Sequence, residues 1–147
     1  MQMNGAYLIG LSILAFLSYW AVRAKLLAAK VSKSIAAGDP VSGWKHALLA
    51  VETRLKKWRL EAGPTAIAGW KGEAKRIRSL FETIGTLHPS VAGAQSDPGA
   101  VTDAWNTAIS AGDRKSRAAA TVLAEQYLAA NRAVGFENLF TPRLPAP

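Results

Sequence analysis

Residues 1 to 22 carry no charged side chain, and within them Ala6 to Val22 read AYLIGLSILAFLSYWAV, an apolar run broken by Ser12 and Ser18. Such a run leaves few choices: a helix across a bilayer, a signal peptide that is removed, or a helix buried in the core of a soluble protein. A helix from about Asn4 to Val22 would be roughly 28 Å long at about 1.5 Å per residue, close to a hydrocarbon core of about 30 Å. Tyr7 stands near one end, and Tyr19 with Trp20 near the other, where amphipathic rings favour the headgroup boundary. A signal peptide needs a positive leading region, and no Lys or Arg precedes Arg23. The run therefore predicts a transmembrane anchor over residues 1–23.

The charge pattern supports the same reading. The chain holds 18 Lys plus Arg against 10 Asp plus Glu, a net of +8. Residues 23–78 carry 13 basic and 4 acidic side chains, whereas 79–147 carry 5 basic and 6 acidic. The positive charge thus follows directly behind the uncharged run. By the positive-inside rule the N-terminus is outside and the rest of the chain is cytoplasmic, most simply at a bacterial inner membrane. Arg23 stands at the membrane interface, and residues 24–38 form a basic helical stem in which Lys25, Lys30 and Lys33 can reach anionic headgroups, each contributing about 1 kcal/mol near the surface.

Behind Gly38 the pattern is helical throughout. Trp44, Leu48, Val51, Leu55 and Trp58 recur at spacings of four and three, as do Trp70, Ala74, Ile77, Phe81 and Ile84. Gly63-Pro64 separates the two stripes, which predicts an antiparallel hairpin. Asp97-Pro98 and Asp113 are helix-start signals, Gly112 and Gly135 are stops, and Thr86 to Ser96 reads as a loop. The expected class is all-α: one N-terminal transmembrane helix continuing into a stem, then an antiparallel bundle of about four helices at 39–62, 65–85, 97–111 and 113–134. This domain, 39–135, is followed by a proline-rich tail, 136–147. With 28 alanines its core is thin, which favours docking on other subunits or self-association.

Function is less legible. The absence of cysteine excludes disulfides, thiolate metal sites and thiol nucleophiles, and the chain has only His46 and His88 to offer as imidazoles. No acid is spaced to orient either histidine, and no nucleophile elbow or phosphate loop occurs, so no enzyme, metal or cofactor is expected. If Trp44 and Trp70 take equivalent heptad positions, Lys45, Lys56, Lys57 and Arg59 fall on the same flank of the apolar stripe as Lys71, Lys75, Arg76 and Arg78. That flank could face solvent, anionic lipid or, with Trp58 and Trp70 interleaved among cations, nucleic-acid bases.

An outward N-terminus and antiparallel helices also form the layout of LemA-type membrane proteins, and Asn131, Ala133 and Val134 with Asn138 resemble their C-terminal motif. Their Asp-Leu-Ile-Pro segment has no counterpart around Pro64, and no family is assigned. The resulting expectation is a non-enzymatic single-pass protein serving as adaptor, assembly factor or accessory subunit of a membrane complex. The alternatives are a membrane-tethered nucleic-acid binder using the basic Trp-rich helices, and a structural component of a virion or energy-transducing assembly.

Overall fold

Two short sequences that stop one helix and start the next shape the chain. At Gly38 the backbone enters the left-handed region with φ 75°, Gly38 N–H donates to the Ile35 carbonyl, and Asp39 N–H donates to that of Ser34 at 2.9 Å. These bonds close a helix C-terminus around a residue for which a Cβ would be costly. Asp39 at once caps the next helix by accepting from Ser42 N–H at 3.1 Å, with Pro40 in the first helical position. Gly112 and Asp113 repeat the device: Gly112 has φ 70°, and the Asp113 carboxylate accepts from Ser116 N–H at 2.6 Å. So short a reversal obliges the flanking helices to pack antiparallel.

The computed structural model describes residues 5–61 and 69–136, with side chains described at 19–59 and 69–136. They form five helices: α1 Gly5–Ala36, α2 Pro40–Glu61, α3 Trp70–Leu87, α4 Pro98–Ala111 and α5 Arg114–Asn131. Single 3-10 turns follow α3 at His88–Ser90 and α5 at Arg132–Val134. Successive helices pack on one another, and α2 also meets α5. The central member is α2, whose residues Ala47 to Val51 are all buried because neighbours cover it on several sides.

The core is aromatic where the helices cross. Trp58 meets Trp105 edge to face at 5.1 Å and Trp70 at 6.1 Å, while Phe81 meets Tyr127 at 5.6 Å. Such pairs contribute about 0.5–1.5 kcal/mol beyond their buried area. Two buried indole N–H groups find partners: Trp58 Nε1 donates to Thr121 Oγ1 at 2.9 Å, and Trp44 Nε1 to the Tyr127 hydroxyl at 3.1 Å. Asn131, fully buried, accepts from Gln95 N–H and donates to the carbonyls of Gln95 and Tyr127. It fastens the 91–97 loop to α5, a structural role for the residue whose surroundings resembled a family motif.

One expectation is corrected here. Among the described residues no helix is long and apolar enough to cross a membrane, so the transmembrane anchor does not stand. The single-pass topology, the outside N-terminus and the cytoplasmic, inner-membrane placement rested on that span and fall with it. Although α1 runs unbroken from Gly5 to Ala36, its stretch from Tyr19 onward bears Arg23, Lys25, Lys30 and Lys33. That stretch turns Ala24, Leu27 and Val31 into the core, at 1%, 1% and 5% exposure. The supposed stem is therefore a structural helix, and the fold is a five-helix bundle instead of an anchor with a four-helix domain. Tyr7 and most of the Ala6–Val22 run lie outside the residues whose side chains are described, as does the tail from 137 onward.

Candidate functional site

The α2–α3 hairpin brings one carboxylate among three cations. Glu73, in the first turn of α3, is 1% exposed. It accepts from Arg54 Nη1 at 3.0 and 3.3 Å, from Lys57 Nζ at 3.3 Å and from Arg76 Nη1 at 3.2 Å. A charge this deeply buried persists only when paired and hydrogen-bonded, and the positive end of the α3 dipole favours a carboxylate near it. The hairpin thus gathers three cations around one anion.

Beside this cluster runs a groove of about 400 Å³ between α1 and α3. Its α1 wall is Ala28, Val31, Ser32 and Ile35; Leu80 continues the apolar surface from α3, and Arg54, Lys75 and Arg76 supply the basic end. Ser79 and Thr83 also line it, and their hydroxyls donate to the carbonyls of Lys75 and Ser79 in their own helix. The hydroxyl oxygens are then left as acceptors. The groove joins a positive end to an apolar wall.

The other basic residues singled out by sequence go elsewhere, because α2 is surrounded and its charges point to different neighbours. Lys56 lies over the Trp20 ring at 4.9 Å, where Arg23 also approaches at 5.9 Å while donating to the Tyr19 hydroxyl at 3.1 Å. Of the three residues expected at a membrane interface, Trp20 thus meets α2 through Lys56, while Tyr19 and Arg23 make their contacts within α1. Arg59 pairs with Glu125 of α5, and Arg78 donates to Asn106 of α4 at 3.4 Å and lies 3.6 Å from Glu82. Lys71 sits 5.8 Å from the Trp70 ring, which Arg117 of α5 covers at 4.8 Å. Lys45 is half-buried near the start of α2, and Lys25, Lys30 and Lys33 are exposed on α1.

Of the proposed flank, only Lys75 and Arg76 line the groove, and Lys57 reaches its ion cluster. Arg54 and Glu73 were not singled out, yet both were readable. Glu73 occupies a stripe position between Trp70 and Ile77, and Arg54 one between Val51 and Trp58. A carboxylate and a guanidinium on two facing apolar stripes signal a buried pair.

Three tryptophans are closed to stacking. Trp44, Trp58 and Trp105 are at 0%, 3% and 0% exposure, so bases cannot reach their faces. The lipid and membrane-subunit partners lose their basis with the span. Among the described residues no group of His, Asp and Glu is arranged to hold a metal ion.

The polar chemistry of the core is closed to solvent. The Tyr127 hydroxyl, fully buried, accepts from Trp44 Nε1 and lies 2.7 Å from His88 Nδ1, to which it can donate. Burial pushes the phenol up to about 12, against the opposing effect of the Trp44 hydrogen bond. Asp39 and Asp113 are held below the usual carboxylate range. The cause is the hydrogen bonds they accept from Ser42, side chain first, and from Ser116, backbone first. Compared with known proteins, the chain matches no family model, no curated protein and no solved structure.

Proposed function

We propose that this chain is a non-enzymatic binding module whose α1–α3 groove takes an amphipathic anion: a carboxylate, sulfonate or phosphate head on an apolar body. The observation that carries the reading is the sharing of Glu73 by Arg54, Lys57 and Arg76, beside Lys75 and the wall formed by Val31, Ile35 and Leu80. An anionic head at the basic end would pair with Lys75 and Arg76, while the body covers apolar surface at about 25 cal/mol per Å². The volume falls in the usual range for small-ligand sites, about 300–1,000 Å³.

Calorimetric titration of the full chain with naphthalene-2-sulfonate, using 2-naphthalenemethanol as the uncharged control, tests this. Lys75→Glu should weaken the sulfonate about tenfold and leave the alcohol unchanged, and Val31→Ser should weaken both. Equal binding of the sulfonate to wild type and to both variants would sink the proposal.

A second reading, contact with nucleic-acid phosphates, draws on the exposed Lys25, Lys30, Lys33, Lys71 and Lys75. Without stacking platforms such binding would be electrostatic, with log K falling linearly against log salt. Fluorescence anisotropy with duplex and single-stranded DNA at 50 and 200 mM salt separates the two. Binding that ignores salt would refute this second reading.

A further inference from the structure

We propose that the outward face of α1 is a docking surface for an acidic amphipathic helix of a partner protein. Opposite the core-facing Ala24, Leu27 and Val31, the same helix presents Tyr19, Val22 and Leu26 to solvent at 54%, 58% and 61% exposure. With the exposed Ala29 these positions follow one another at spacings of three, four and three, the narrow seam by which one helix packs on another. Leu26 and Leu27 show the division most simply: adjacent and chemically identical, one is 61% and the other 1% exposed.

The charges beside the seam decide what can cover it. If Tyr19 and Val22 are taken as the a and d positions of a heptad, Arg23 and Lys30 fall at e and Lys25 at g, and α1 contains no Asp or Glu. Flanking residues of this kind pair across a helix interface and set partner choice. A second copy of α1 would place cations against cations. A helix with apolar a and d positions and Glu or Asp at e and g would match both the seam and its borders. This face is distinct from the α1–α3 groove, which uses Ala28, Val31, Ser32 and Ile35.

The test uses the full chain and a fluorescein-labelled 21-residue peptide of three heptads, with Val at a, Leu at d and Glu at e and g. A second peptide carries Lys at e and g. Anisotropy should show binding of the acidic peptide only, weakened about tenfold or more by Val22→Ser with Leu26→Ser, and likewise by Lys25→Glu with Lys30→Glu. These side chains are exposed, so unchanged circular dichroism will certify the fold of each variant. Lys75→Glu should leave peptide binding intact, which separates this surface from the groove.

Acidic-peptide binding indifferent to the seam variants would overturn the proposal, as would equal binding of both peptides. So would sedimentation as a dimer that Val22→Ser with Leu26→Ser dissociates. Seam-dependent binding to vesicles of equal phosphatidylglycerol and phosphatidylcholine, without peptide binding, would overturn it in favour of a lipid surface.

Discussion

Replacing Glu73 by Gln leaves the shape of the α2–α3 junction nearly unchanged and removes only the charge that three cations share. The cost follows from how far each partner is withdrawn from water. The side chains of Arg54 and Lys57 are 10% and 15% exposed, so their charges would remain buried against a neutral amide. Breaking a buried pair in this way costs about 3–5 kcal/mol. Arg76, with its side chain 57% exposed, can turn to solvent, and its exposed pair adds at most about 1 kcal/mol. A total near 4 kcal/mol, at a urea slope of about 1–3 kcal/mol per M, moves the unfolding midpoint down by roughly 1.3–4 M. Urea titration followed by circular dichroism at 222 nm measures it. The companion variant Arg54→Met with Lys57→Met and Glu73→Leu should recover most of the loss, because apolar side chains of similar volume replace the buried ions. A Glu73→Gln cost under about 1 kcal/mol would refute the claim that a buried network joins α2 to α3. The same variant adds one uncompensated positive charge beside the groove, so sulfonate affinity should rise at urea concentrations where the fold is intact.

The Tyr127 hydroxyl accepts from Trp44 and lies within bonding distance of His88, so Tyr127→Phe should cost about 1–3 kcal/mol by leaving the buried Trp44 N–H unpaired, measured by urea denaturation at pH 7. Because the folded phenol titrates near 12 and the unfolded one near 10.0, its contribution is full below pH 10 and declines between pH 10 and 12, by no more than about 1.4 kcal/mol per pH unit; the phenylalanine variant should lack that part of the slope. Asp113 is depressed from 3.8, so its capping contribution is present above that value and is lost as pH falls through the lower folded pKa. Asp113→Asn should keep the cap and flatten the dependence of thermal midpoint on pH between 5 and 3, whereas Asp113→Ala should lower the midpoint at pH 7. Trp105→Phe should keep most of the edge-to-face contact with Trp58 and remove a buried N–H that has no partner among the described residues; its unfolding free energy from urea titration should therefore stay within about 1 kcal/mol of wild type.

Local chemistry was legible in the sequence and long-range placement was not. Gly38 with Asp39, and Gly112 with Asp113, stop and start helices through bonds that span five residues or fewer, so the residues alone announce them. The stripe Trp44, Leu48, Val51, Leu55 and Trp58 is 3% exposed or less at every position, because a 3.6-residue period records which side of a helix is dry. Hydropathy summed over Ala6 to Val22 carries no such direction. What decides the role of α1 among the described residues is the pattern that begins at Tyr19, where four cations accompany a one-sided row of Ala24, Leu27 and Val31. Arg54 and Glu73 escaped a reading of the stripes by their apolar members, since an ion pair occupies core positions without changing the period.

The meaning of the basic block changes with the position of α2. On an isolated hairpin, basic residues on one flank would sum to one surface. On a helix enclosed by α1, α3 and α5 they diverge: Lys56 goes to Trp20, Lys57 to Glu73 and Arg59 to Glu125, so each serves a different helix contact. Their Coulomb energy is then largely spent within the fold, and it falls off further with salt for the exposed pairs. What remains available to a partner is the basic end of the groove, where Lys75 and the exposed Arg76 stand, and the cations that border the exposed seam of α1. The +9 of residues 23–78 overstates the protein's attraction for polyanions, and the salt dependence of any binding should report a few charges instead of nine.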